Sequence, residues 1–157
     1  MSEEIKNKLE ICNVEKKFKK NEVLKKLNCT LESGVYAILA PNGVGKTTLM
    51  RCIADIYSYH GEIKFNGKNI KKQKVKIGYL PQQFGLFPEL TVYQMMEYFC
   101  NLKKISKKER KAAIEICLKK VNLYDKKDEK NRKLSGGMIR RVGIAQAILG
   151  EPDIILF

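Results

Sequence analysis

Apolar residues run unbroken through Val35-Tyr36-Ala37-Ile38-Leu39, just after the turn pair Ser33-Gly34. A short apolar run bounded by turn residues predicts a strand. Residues 9–15, LEICNVE, predict another, and Val23 to Leu31 a third, with a polar turn over Lys16–Lys20 and Asn21-Glu22 between them. From Lys46 the period lengthens. Leu49, Ile53 and Ile56 recur at spacings of four and three, which predicts a helix. "HGEIKFNGKNI" sets Gly61 and Asn66-Gly67 around a short strand, a hairpin signal, and "KIGYLPQ", 76–82, predicts a strand ending at Pro81.

After Pro88 the pattern becomes helical. Residues 91–102 and 107–123 predict amphipathic helices joined by Lys103 to Ser106. In the second, Ala113, Ile116, Cys117 and Val121 share one face. A polar stretch, "DKKDEKNRK", leads to "LSGGM" and a further helix with Val142, Ala145, Ile148 and Leu149 on one side. Gly150 and Pro152 end it, and "DIILF" begins a strand. The layout is α/β: strands and a helix, a helical insertion, then a return towards the sheet.

At 157 residues the chain suffices for one domain with a core. Hydrophobic residues are 44% and charged residues 31%, a soluble globular composition. No apolar run approaches the roughly 20 residues that span a bilayer, and the mixed-charge start MSEEIKNKLEI lacks a signal-peptide core. Both point to the cytosol. Cys12, Cys29, Cys52, Cys100 and Cys117 form no CxxC pair, so small apolar roles are expected of them rather than zinc or disulfides. The net charge of +14 raises a nucleic-acid or acidic-membrane partner. The basic residues are mostly Lys, spread over 16–26, 64–76, 103–111 and 119–133, without the interleaved Arg and aromatic residues of a base-stacking surface. Nucleic acid is therefore disfavoured.

"APNGVGKTTLM", 40–50, follows the first apolar run and opens the first helix. Backbone amides that wrap a phosphate must converge on it, and side chains would block that approach, so Gly43 and Gly45 supply room. The helix start aims free amides and a partial positive charge at the same point. Lys46 is placed to reach the β- and γ-phosphates, the Thr47 hydroxyl to join a Mg²⁺ shell, and Thr48 to lie near the α-phosphate. The candidate nucleotide contacts are Asn42, Gly43, Val44, Gly45, Lys46, Thr47 and Thr48. The first position of the GxxxxGK[ST] pattern is Ala40, which Pro41 biases towards extended backbone.

Taken together, "APNGVGKTTL", "IGYLPQ" and "LSGGMIRRVGIAQAILGEPDIILF" resemble the nucleotide-binding subunit of ATP-binding cassette (ABC) transporters, from about Leu9 to Phe157. The resemblance implies a P-loop NTPase core with an antiparallel β edge and a helical subdomain. It divides the chain into a core with the phosphate loop and Gln82 (1–87), the helical subdomain (88–133), and the signature motif, helix and strand start (134–157). It implies ATP and Mg²⁺ as cofactors. Lys46 and Gln82 take catalytic roles, with Gln82 and Thr47 near the metal. Phe18 matches the aromatic that stacks on adenine, with a core aromatic the equal alternative. Ser135, Gly136 and Gly137 match the signature that grips the γ-phosphate held by a partner, so a second nucleotide-binding subunit in a head-to-tail dimer and a separate transmembrane permease are implied. That places the protein at the inner face of the cell membrane. "FGLFPELTVYQMMEYF" resembles cassettes that export drugs or antimicrobial peptides.

In that family "DIILF" is followed by an Asp that holds Mg²⁺ and a Glu that activates water. The sequence ends at Phe157, so the expectation is a truncated, hydrolytically inactive chain. Two alternatives stand beside the transporter reading: a non-transport ABC ATPase acting on ribosomes or DNA, and a non-hydrolysing ATP-binding module.

Overall fold

The computed structural model describes residues 7–157. The start read from residues 1–6 lies outside them. Among the described residues the chain divides into two compact units, meeting in sequence at Val75 and Lys76.

The first unit is built on four antiparallel strands: β1 (Lys8–Phe18), β2 (Asn21–Glu32), β3 (His60–Phe65) and β4 (Lys68–Asn69), in the order β2-β1-β3-β4. β1 runs three residues further than its apolar pattern, and the turn shrinks to Lys19 and Lys20. Leu9, Ile11 and Val14 of β1, Leu24 of β2, and Ile63 and Phe65 of β3 are buried. Phe65 faces Lys68 across Asn66 and Gly67, both with positive φ (52° and 76°), the two-residue turn whose twist suits adjacent strands. The helix α1 (Lys46–Ile53) buries Leu49, Cys52 and Ile53. It ends before Ile56. Asp55 turns left-handed (φ 55°), its N–H bonds the Cys52 carbonyl at 3.1 Å, and that of Ile56 bonds the Arg51 carbonyl at 2.8 Å. Ile56 is therefore exposed rather than on the buried stripe.

Residues 35–39 depart from the sequence expectation. They form no strand, and Val35 and Leu39 are almost wholly exposed. A strand is defined by the neighbour that takes up its amides and carbonyls. Among the described residues none pairs with this run.

In the second unit β5 (Ile77–Tyr79) pairs in parallel with β6 (Ile154–Leu156), Ile77 facing Ile154 and Tyr79 facing Leu156. The Asp153 carboxylate accepts the Lys76 N–H at 2.8 Å, and the Leu80 N–H bonds the Leu156 carbonyl at 2.9 Å, so the ladder is fastened at both ends. Three helices follow the strand: α2 (Val92–Leu102), α3 (Lys107–Lys120) and α4 (Gly136–Ile148). Their core joins Val92, Met96 and Cys100 to Ile114, Cys117 and Leu118, and to Val142 and Ala145, with Leu123, Leu134 and Leu149 closing it.

The buried stripe of α3 is Ile114, Cys117 and Leu118, while Ala113 and Val121 flank it and Ile116 is half exposed. Both stripes have helical spacing, and contact with α2 and α4 selects between them. α3 also stops at Lys120, because Asn122 turns left-handed and the Leu123 N–H bonds the Leu118 carbonyl at 2.9 Å. Thr91 starts α2 with a reciprocal cap: its hydroxyl accepts the Gln94 N–H at 3.1 Å, and its own N–H donates to Gln94 Oε1 at 2.9 Å. Among the described residues no helix is long and apolar enough to cross a membrane.

The tightest approach lies between β5 and α4. A β-carbon on Gly78 would stand 2.1 Å from the Ala147 carbonyl oxygen. Gly78→Ala is expected to lower unfolding free energy by about 2 kcal/mol or more, the upper part of the range for overpacking, in a urea titration. Thr91→Ala is expected to cost about 1 kcal/mol in the same titration.

Candidate functional site

Gly45 is the N-cap of α1, in the left-handed region at φ 104°. A β-carbon there would also lie 2.9 Å from Val23 Cγ1 and 3.2 Å from the Val23 carbonyl oxygen, so both conformation and space require glycine. The first helical bond runs from the Leu49 N–H to the Gly45 carbonyl at 2.8 Å. The amides of Gly45, Lys46, Thr47 and Thr48 are thereby left without an acceptor in the helix. Around them Asn42, Gly43, Val44 and Thr47 are exposed, and Lys46 and Thr48 are half-buried. The space beside Gly43 (φ 85°) is open.

The Lys46 ammonium folds back over its own loop and donates to the Ala40 carbonyl and, at 2.8 Å, to that of Pro41. Among the described residues no carboxylate lies at ion-pair distance from it. A cation held by neutral carbonyls, beside free amides and an exposed hydroxyl, suits an anion with several oxygens.

Phe18 ends β1 and is 40% exposed, which sets aside the core alternative. Its ring meets Tyr57 edge-to-face at 5.4 Å, with Lys16 Nζ 5.0 Å from its centroid. The Tyr57 hydroxyl accepts from Arg51 Nη1 at 2.6 Å, and Arg51 belongs to α1. This chain of contacts links Phe18 to the helix that carries the phosphate loop. Tyr57 and Arg51 escaped the sequence reading, since neither stands in a motif.

The other candidates lie in the second unit. Gln82 follows the buried Leu80 and the half-buried Pro81 and is exposed. Ser135 is the N-cap of α4, and its Oγ accepts the Met138 N–H at 3.3 Å. Gly136 and Gly137 open the helix, both exposed, with nothing within 4 Å of the β-carbon site of Gly136. Bare amides therefore face outward beside a hydroxyl. Behind this start, Leu134 and Asn131 are buried, and the Asn131 side-chain amide donates to the Phe87 carbonyl at 2.9 Å.

Two further residues hold α4. Gln146 Nε2 donates to the Tyr79 carbonyl at 2.7 Å, tying the helix to β5. Lys103 Nζ donates to the carbonyls of Gln146 (2.7 Å) and Leu149 (2.8 Å) at the helix end, where a cation is favoured. Gln146 lies within the signature stretch, but the sequence alone assigns neither residue this role. Cys52, Cys100 and Cys117 are buried, and burial pushes each thiol above its ordinary value, which keeps all three protonated and inert.

A glycine-lined loop at a helix start suits a phosphate, and the protein is of mixed α/β type. The comparisons narrow the class. Residues 24–157 match the family model described as ABC transporter. The chain belongs to that family, as an ATP-binding domain. It is 36% identical over 153 residues to the Fe(3+) ions import ATP-binding protein FbpC of Fusobacterium nucleatum, covering 94% of this chain and 41% of that protein. It is 36% identical over 159 residues to the arginine transport ATP-binding protein ArtM of Bacillus subtilis, covering 95% and 66%. The solved structure of cbiO1 from Clostridium perfringens, described as part of the ABC transporter complex cbiONQ, matches with a TM-score of 0.77 at 27% identity, over 94% of this chain and 64% of that one. The chain thus spans less than two thirds of the length of each.

Gly45→Ala is expected to destabilise the first unit by about 1–3 kcal/mol, the cost of forcing a side chain into a left-handed, crowded position. A melting scan of the purified protein checks it.

Proposed function

We propose that this chain binds Mg·ATP at the loop of residues 42–48 and serves as the ATP-binding subunit of a membrane transporter. The observation that carries the reading is the unsatisfied first turn of α1 behind Gly45, with Lys46 held at the same loop. The residues fit the cofactor. Free amides and Lys46 suit the phosphates, the exposed Thr47 hydroxyl suits the metal shell, and the partly exposed Phe18 is proposed to stack on a base. Gln82 is proposed for the metal or the attacking water. Binding is what these residues supply. Turnover is proposed of a protein that also provides a metal-holding carboxylate and a general base.

Ser135, Gly136 and Gly137 are proposed to hold the γ-phosphate of nucleotide bound by a second subunit, giving a head-to-tail dimer. A separate permease spans the membrane, and the chain sits at the cytoplasmic face. The direction of transport is proposed as uptake. The named relatives serve import of ferric ions and transport of arginine, and they weigh against the export of drugs or peptides expected from residues 84–99.

Titration with Mg·ATP is expected to raise the melting temperature, with about 2.7 kcal/mol of stabilisation at a hundredfold excess over Kd, and Lys46→Ala is expected to abolish the shift. Cooperative melting with no shift would overturn the reading. Ser135→Glu separates the two half-sites. It is expected to keep the ATP-induced shift while losing ATP-dependent dimerisation in light scattering, since a carboxylate repels the partner's phosphate. RNA or DNA binding that weakens steeply with salt would favour the non-transport alternative instead.

A further inference from the structure

The second unit distributes its charge unevenly. From Lys103 to Lys111 six basic residues accompany one acid, Glu109. Glu109 is engaged locally, accepting the Ser106 hydroxyl at 2.6 Å. Lys103 caps α4, and Arg110 Nε donates to the Ile105 carbonyl at 3.0 Å. Lys104, Lys107, Lys108 and Lys111 remain, all exposed. Among the described residues none of the four has a carboxylate at ion-pair distance. Elsewhere in this unit Lys119, Lys126, Lys127 and Lys130 each stand beside an acid.

Three of the four lysines also occupy locally unfavourable places. Lys107 and Lys108 lie in the first turn of α3, where cations oppose the helix dipole. Ser106, the N-cap, makes no side-chain bond to the helix amides. Lys104 is left-handed (φ 56°) at the end of α2, where glycine or asparagine is favoured. Beside them α2 exposes Leu102 (62%) and, one turn earlier, Tyr98. Local preference set aside in favour of one surface property marks functional surface.

We propose that the α2–α3 turn, with Lys104, Lys107, Lys108 and Lys111 flanked by Tyr98 and Leu102, contacts an anionic lipid surface directly. Lysine ammonium groups at a bilayer meet anionic headgroups, while a tyrosine ring and an exposed leucine suit the interfacial layer. The cytoplasmic loops of a permease fit the patch less well. They carry an excess of Lys and Arg themselves, and would repel it. Lipid contact extends the transporter reading without depending on nucleotide, so vesicle binding in the absence of ATP tests it apart from that reading.

The experiment is flotation of the purified protein with phosphatidylglycerol–phosphatidylcholine vesicles, and with pure phosphatidylcholine vesicles, across a salt series. Binding is expected to the anionic vesicles alone and to fall with salt. Replacing Lys104, Lys107, Lys108 and Lys111 together by Gln is expected to lower the partition coefficient by roughly tenfold or more, and replacing them by Arg to preserve it. The control replaces Lys119, Lys126, Lys127 and Lys130 by Gln, an equal change in net charge, and is expected to leave binding within about twofold. Circular-dichroism melting of each variant confirms folding. Equal losses in both sets would overturn the proposal, as would no binding to anionic vesicles. Binding of RNA or an acidic protein in place of vesicles would overturn it too.

Discussion

The second unit depends on one close approach, the Ala147 carbonyl pressed against the backbone of Gly78. Helix and strand meet there at a distance no side chain allows. That lets Gln146 reach the Tyr79 carbonyl and brings the β6 end of the chain beside β5. The parallel pairing joins residues far apart in sequence, so its ordering entropy must be met by burial nearby. Leu80, Val142, Ala145 and Leu149 provide that burial. Gln82 and Ser135 are exposed on a frame set by this contact.

The two candidate phosphate contacts solve the same problem differently. Every helix start leaves amides unsatisfied. At α1 the cap is a glycine without a side chain, and the amides stay open to whatever approaches. At α4 the Ser135 hydroxyl satisfies the Met138 N–H, while Gly136 and Gly137 leave the first amides bare. The opposite end of α4 is closed by Lys103, which neutralises the carbonyl pole and fixes the helix along its axis. A helix held at its far end has its start fixed in place as well.

Ion pairing contributes little to what holds the described residues together. The ion pairs are surface contacts, in a class whose stabilisation is small and salt-sensitive. The placement of charge matters more. Paired lysines are neutral at a distance, whereas a run of unpaired ones projects a field that selects partners.

The local chemistry was legible in the chain. The glycine-rich turn into the first helix, the hairpin turn at Asn66-Gly67 and the helix over residues 91–102 follow from glycine placement and period, and the structure bears out each as a local element, while the strand expected over 76–82 is shorter, Ile77–Tyr79. The family followed too, because three motifs in order are specific. Pairing and facing were not legible. The run 35–39 has strand composition and no partner among the described residues, α3 had two plausible stripes, Tyr57 and Lys103 carry no motif, and Gln146 stands in the signature stretch without a role read from it. Backbone conformation at a glycine or a cap is decided within a few residues. A ladder partner, a buried stripe or a helix-capping ammonium is decided by whichever distant segment arrives, so tertiary structure alone selects it.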